Sequence, residues 1–219
     1  MTAKRTVSQI RLIITKLIKT GLSIQQNWPV LTGRPRGIEE IAITGNPPLS
    51  TAMKNIPYKD IYTSIVAEKA FHVKMLDGAL IQMCYRFNGG HIDSHRLCMF
   101  PAPDLDSFDF DPEPYDRDEV YADIVGHNVV HFPIRFDFDQ SQLKHVEVKH
   151  PKSHMTLGQY PNCRIPVSAP LAPAKFMKFI LRNFYHTRFY SSELEHIDSS
   201  FVFSDTISGG ERAITHVIG

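Results

Sequence analysis

Asp137 and the triplet Glu147-Val148-Lys149 are the residues whose types and spacing could do chemistry most specifically. On an extended strand, residues i and i+2 point to the same side, so Glu147 and Lys149 would project together. If a hairpin brings Asp137 alongside, two carboxylates and an ammonium converge. Two carboxylate oxygens are what Mg²⁺ takes from a protein when phosphate and water complete its shell. The lysine would then orient the attacking water or offset charge developing on the phosphate. Asp137 and Glu147 are thus the expected metal ligands, with Lys149 as the third catalytic residue. Asp139 is the substitute if the register slips by two.

In order, spacing and expected strand placement, Asp137 with Glu147-Val148-Lys149 resembles the PD-(D/E)XK nuclease signature. Glu39 or Glu40, on a short element ahead of the strands, could supply the further acid that many such nucleases add. The competing reading is plain: an exposed face of an antiparallel hairpin carries alternating charges anyway.

Histidines form a second cluster, with His145, His150 and His154 close in sequence and His127 and His131 upstream. A zinc site needs at least three to converge, and an H-x3-H pair binds well on a helix, which Pro151 breaks here. A metal-histidine hydrolase built on His150 and His154 is therefore a third option. His154-Met155-Thr156-Leu157 matches half of a two-histidine phosphoesterase signature, but no second copy supplies the other acid or base. Cys163 reads as a structural thiol.

The elements that must position these residues read as follows. Ile10, Ile13, Ile14, Leu17 and Ile18 recur at helical spacing, with Arg11, Lys16 and Lys19 on other faces, and predict a helix over 7–20. Residues 28–57 are punctuated by proline and glycine, so only 38–43 reads as a regular element. Alternation at 71–75 and 81–87 around Asp77-Gly78 predicts a hairpin, and 96–100 a third strand. Residues 129–139 alternate again, and 145–150, with Val146 and Val148 opposed to Glu147 and Lys149, read as the return strand of a second hairpin. A helix over 173–186 starts with proline in its first turn and carries Lys175, Lys178 and Arg182 at i, i+3 and i+7. That basic stripe could follow a phosphate backbone, or simply face solvent.

The expectation is a single α+β domain over 1–219: an antiparallel β-sheet of hairpins flanked by an N-terminal and a C-terminal helix. Within it, 1–60 hold a helix and Pro/Gly-rich loops, 61–170 a strand-rich core, and 171–219 a helix and tail. Residues 104–119 carry eight acidic residues, one arginine and two prolines. They read as a solvated loop, or as a gate competing with phosphates for a basic patch.

Composition narrows the classes. With 24 Lys and Arg against 23 Asp and Glu, the formal net charge of +1 gives no global field for a polyanion. Nucleic-acid contact must come from a local patch or a partner subunit. The three cysteines, 84, 98 and 163, form no C-x-x-C pair and predict reduced thiols in a cytoplasmic protein. The apolar positions near the N-terminus are interrupted by Arg11, Lys16 and Lys19, which fits neither a secretory signal nor a membrane span.

Residues 150–160 (His-Pro-Lys-Ser-His-Met-Thr-Leu-Gly-Gln-Tyr) and 162–167 (Asn-Cys-Arg-Ile-Pro-Val, including Arg164) resemble an uncharacterised bacterial family, domain of unknown function 2290. Residues 131–139 and the helix over 176–185 are similar to that family too. The resemblance implies a context and no mechanism: a helicase encoded alongside, in a two-gene anti-phage defence system. Two expectations follow. One is an Mg²⁺-dependent nuclease subunit using Asp137, Glu147 and Lys149, with Lys175, Lys178 and Arg182 positioning the strand. The other is a non-catalytic regulatory or nucleic-acid-binding subunit, in which the hairpin charges are surface and His150, His154 and Arg164 are structural or interfacial.

Overall fold

The computed structural model describes residues 2–43, 56–103, 132–141, 143, 145–160 and 162–219. Helix α1 (Ala3–Lys19) begins where the Thr2 hydroxyl accepts from the Arg5 N–H, and ends at Thr20 with Lys16 and Lys19 in its last turn. Its buried stripe of Ile10, Ile13, Ile14 and Leu17 follows the predicted spacing, while Ile18, expected with them, is 40% exposed. Strands β1 (Ser23–Gln26), β2 (Val30–Arg34) and β3 (Ile38–Ala42) follow. Only β3 is legible in the sequence. The β2–β3 hairpin turns at 35–37, where Arg36 and Gly37 both take positive φ (64° and 73°).

Helix α2 (Tyr58–Ala67) stands where the sequence pattern predicts no helix; only Ile61 and Ile65 of it are buried, which leaves little periodic signal. Strands β4 (Val73–Met75), β5 (Leu80–Asn88) and β6 (His91–Phe100) form the expected antiparallel run, turning at Asp77-Gly78 and Gly89-Gly90. Strand β7 (Ile134–Asp139) joins β6, then β8 (Ser153–Leu157) and β9 (Ile165–Pro166) complete the sheet. Helices α3 (Pro173–Phe184), α4 (His186–Tyr190) and α5 (Gly209–Arg212) close the chain. Residues 104–131, including the acidic run, His127 and His131, lie outside the described residues.

The architecture is mixed α+β, as expected. Among the described residues nine antiparallel strands run β1-β4-β5-β6-β7-β8-β9, with β3 also on β5 and β2 on β3. One sheet face buries Met83, Tyr85, Phe87, Leu97 and Phe136 against α1 and α3. Phe136 meets Phe176 and Phe179 of α3 edge-on at 6.0 and 5.3 Å. At one end of the other face, α2 covers Phe71, Leu80, Cys98 and Phe100. The sheet is thus the middle of three layers there.

The second hairpin is not as expected. The return partner of β7 is β8, with Ile134 opposite Leu157 and Asp137 opposite His154. Residues 145–150 form a turn closed by a Val146–His150 bridge. Within it the Lys149 N–H donates to the Glu147 carbonyl at 2.7 Å, and Val148 sits at φ 65°. A β-branched residue in that region is sterically unfavourable, which is why alternation alone misleads here.

At the far edge, Val217 bridges Val167 in parallel, its N–H donating to the Pro166 carbonyl and its carbonyl accepting from Ser168. The route from sheet to α3 is fixed at Leu171, whose N–H donates to His95 Nε2 at 3.0 Å and whose carbonyl accepts from the Tyr85 hydroxyl at 2.9 Å. His95 is therefore the Nδ1–H tautomer. His72 accepts the Met83 N–H on Nδ1 at 3.0 Å and is the opposite tautomer.

Burial pushes His72 down to about 3 and His95 to about 4. Both stay neutral in the folded chain while an unfolded histidine titrates near about 6.5. Below that pH the unfolded state binds two protons that the folded state refuses, so stability falls with acid. From these two residues alone, urea unfolding between pH 6 and 5 should lose up to ~2.7 kcal/mol per pH unit. A slope near half of that would show that one of them is protonated in place.

Candidate functional site

The densest set of charged side chains lies on the sheet face turned away from α1 and α3. Alternation along β7 sends Ile134, Phe136 and Phe138 into the core, so Arg135, Asp137 and Asp139 face the other way. Register then places Arg96 of β6 and His154 of β8 directly on either side of Asp137. Arg96 Nε donates to Asp137 Oδ1 at 3.1 Å, and Arg135 Nε pairs with Oδ2. His154 Nε2 lies 4.0 Å from Oδ2.

The Asp137 side chain is only 15% exposed, and Arg96 and Arg135 are 25% and 24% exposed. Burial alone would raise the Asp137 carboxyl, but the guanidiniums of Arg135 and Arg96 overcome it and hold the pKa below the usual carboxylate range. His154 Nδ1 is 2.9 Å from the Pro151 carbonyl, so Nδ1 carries the proton and Nε2 is an acceptor. Burial lowers its pKa, only partly opposed by Asp137. Neutral His154 thus turns a lone pair toward a carboxylate already paired to two cations.

The structure brings together Asp137 and His154, with His150 stacked edge-on against His154 at 5.3 Å between ring centroids. Arg164 is near enough to His154 for its charge to add to the lowering. Asp139, His145, His150 and His154 surround a crevice of about 10 Å³, room for one water molecule and no substrate. Asp139 Oδ1 accepts from the Ser141 N–H at 2.9 Å.

Glu147 and Lys149 do not share a strand face with Asp137. Glu147 instead accepts from the Ser208 hydroxyl at 2.6 Å and the Gly210 N–H at 3.0 Å, which hold its carboxyl below the usual range. A side chain at position 210 would bring its Cβ to 2.7 Å from Glu147 Oε1, so the carboxylate would have to swing aside. Beside this contact, buried Glu211 completes a capping box with Ser208 and meets His145 at 3.3 Å. Glu40 pairs with Arg34 across the β2–β3 hairpin.

The donor set expected for Mg²⁺ therefore does not fit the ion. Asp137 offers oxygens that two guanidiniums occupy, and Glu147 is bonded to the segment 208–210. Among the described residues, no three His, Cys, Asp or Glu side chains are placed to hold a metal together. Cys84 and Cys98 line the same face, and burial pushes the Cys84 thiol up to about 11, so it is protonated at neutral pH.

Arg96 and Arg135 are not among the site residues expected from the sequence. Arg135 has a signal, since it lies two residues before Asp137 on one strand. Arg96 has none without the β6–β7 register.

Asp137→Asn removes the charge that both guanidiniums face and should cost about 3 kcal/mol of folding stability, measured by urea unfolding at pH 7. Because the folded pKa is depressed, the stabilisation is full above the unfolded carboxylate range and lost as pH falls through the folded value. The variant's deficit should accordingly shrink toward zero in acid. A deficit unchanged at low pH would mean the pair is not electrostatic in origin.

No curated protein and no solved structure matches this chain. A family model does: residues 22–218 match the one described as an uncharacterized conserved protein, DUF2290. With nearly the whole fold inside that match, from β1 to Val217, the protein belongs to the DUF2290 family.

Proposed function

We propose that the protein is a non-catalytic, nucleic-acid-binding subunit that works beside a helicase in anti-phage defence. The observation that carries this reading is the charge of the helical layer. Helix α1 holds five Lys and Arg and α3 holds three, and neither holds an Asp or Glu, although the chain as a whole is only +1. The imbalance is local, which is what a polyanion-binding face requires of a near-neutral protein.

Lys4, Arg5, Arg11, Lys19 and Arg182 are exposed, and Lys175 and Lys178 partly so. The two helices pack on each other. Asp198 links them electrostatically: its carboxyl is held low first by Ser200, then by the charges of Arg5 and Lys178. Such a face would grip phosphates and carry no base information of its own. The helicase and the defence context rest on the family resemblance of 150–167.

A magnesium-dependent nuclease on Asp137, Glu147 and Lys149 has less support, because those carboxylates serve Arg96, Arg135, Ser208 and Gly210. Lys149 is exposed on the 145–150 turn, so its truncation should leave the fold intact. Under the proposed reading, Lys149→Ala retains phage protection in full when expressed with the helicase. Loss of protection by folded Lys149→Ala would restore the nuclease reading.

Lys175→Gln/Lys178→Gln/Arg182→Gln tests the binding face directly, by anisotropy of a labelled single-stranded oligonucleotide at several salt concentrations. Affinity at low salt should fall tenfold or more. The slope of log K against log salt should lessen by about 2, near 0.7 for each phosphate no longer neutralised. Unchanged affinity and slope would sink the assignment of this face.

A further inference from the structure

We propose that the cleft between the Gly89-Gly90 turn, the end of β7 and residues 202–206 receives a single unpaired nucleobase. It has a volume of about 430 Å³ and lies away from the Asp137 cluster, walled by His91, Phe138, Gln140, Phe203, Ser204 and Thr206. That volume is in the range of small-molecule sites, about 300–1,000 Å³.

The lining selects the ligand class. Among the described residues no lysine or arginine lines the cleft, and its one acid, Asp205, is paired with Arg212. A phosphate would find no cation there. An amide, an imidazole and the Ser204 hydroxyl offer donors and acceptors beside an apolar floor of Phe138 and Phe203, which are 2% and 8% exposed. This mixture matches the edge and face of an uncharged planar base.

Position ties the cleft to the basic layer. Arg5 of α1 lies over the Phe201 ring, 3.2 Å from its centroid, and the next residue, Val202, is on the cleft wall and 58% exposed. A single strand whose phosphates follow α1 and α3 could therefore turn one base inward here. The inference rests on the nucleic-acid reading for its biological ligand, while the chemistry of the cleft is testable without it.

Adenosine, guanosine, cytidine and uridine, which carry no phosphate, are titrated into the full chain and followed by amide chemical shifts up to ~10 mM, a range that detects millimolar affinity. At least one nucleoside should give saturable shifts at 202–206 and His91. Ser204→Trp, which fills the cleft from an exposed position, should abolish it. The Lys175→Gln/Lys178→Gln/Arg182→Gln chain should bind nucleosides as the parent does, so failure of the charged face and failure of the cleft are separate results. No saturable shift with any nucleoside, or equal affinity in Ser204→Trp, overturns the proposal.

Discussion

A carboxylate with two guanidiniums on it, taken most of the way out of water, constrains everything around it. Asp137 can be buried only because Arg96 and Arg135 arrive from β6 and from its own strand to meet separate oxygens. A buried charge missing one of its partners is far costlier than a pair is valuable, so the arrangement specifies register more than it adds stability. Sliding β6 past β7 by two residues would part Arg96 from Asp137 and set Ser94 or Cys98 opposite the carboxylate instead. The pairing of β7 with β8 sets His154 beside the same carboxylate. The β6–β7 register is thereby fixed on the polar face, while Phe136 of β7 packs on α3 from the apolar one.

This double constraint explains which elements are legible in the sequence and which are not. Alternation in 134–139 is legible because one face meets α3, and burial enforces a period of two. The stripe of Ile10, Ile13, Ile14 and Leu17 is legible for the equivalent reason on a helix. Alternation at 146–149 has no such cause. Val146 and Val148 are 53% and 40% exposed, so their spacing reflects nothing packed against them. A pattern without a buried face is not evidence of a strand. Strand β2 is hidden by the opposite effect, with Pro29, Gly33 and Pro35 suggesting loop in what is one arm of the β2–β3 hairpin.

The candidate site divides along the same line. Asp137, His154 and His150 do meet, because β-register carries them. Glu147 stands out in the sequence for its spacing to Lys149, yet its role is set by Ser208 and Gly210, some sixty residues further on. Contacts that depend on distant segments leave no local signature. Charge composition is different: the absence of any acid from α1 and α3 can be counted in the sequence, but only their packing makes it one surface.

The parallel bridge between Val167 and Val217 places backbone beside β9, the last strand of the sheet. An uncovered last strand offers unpaired N–H and C=O groups to any other extended chain. Residues 217–219 occupy that position, and the Gly219 N–H adds a bond to the Ser168 hydroxyl at 2.8 Å. The tail therefore acts as an insulator. It terminates the hydrogen-bond ladder within the molecule, and a purification tag or fusion joined there would pull on the element that keeps one sheet from continuing into the next.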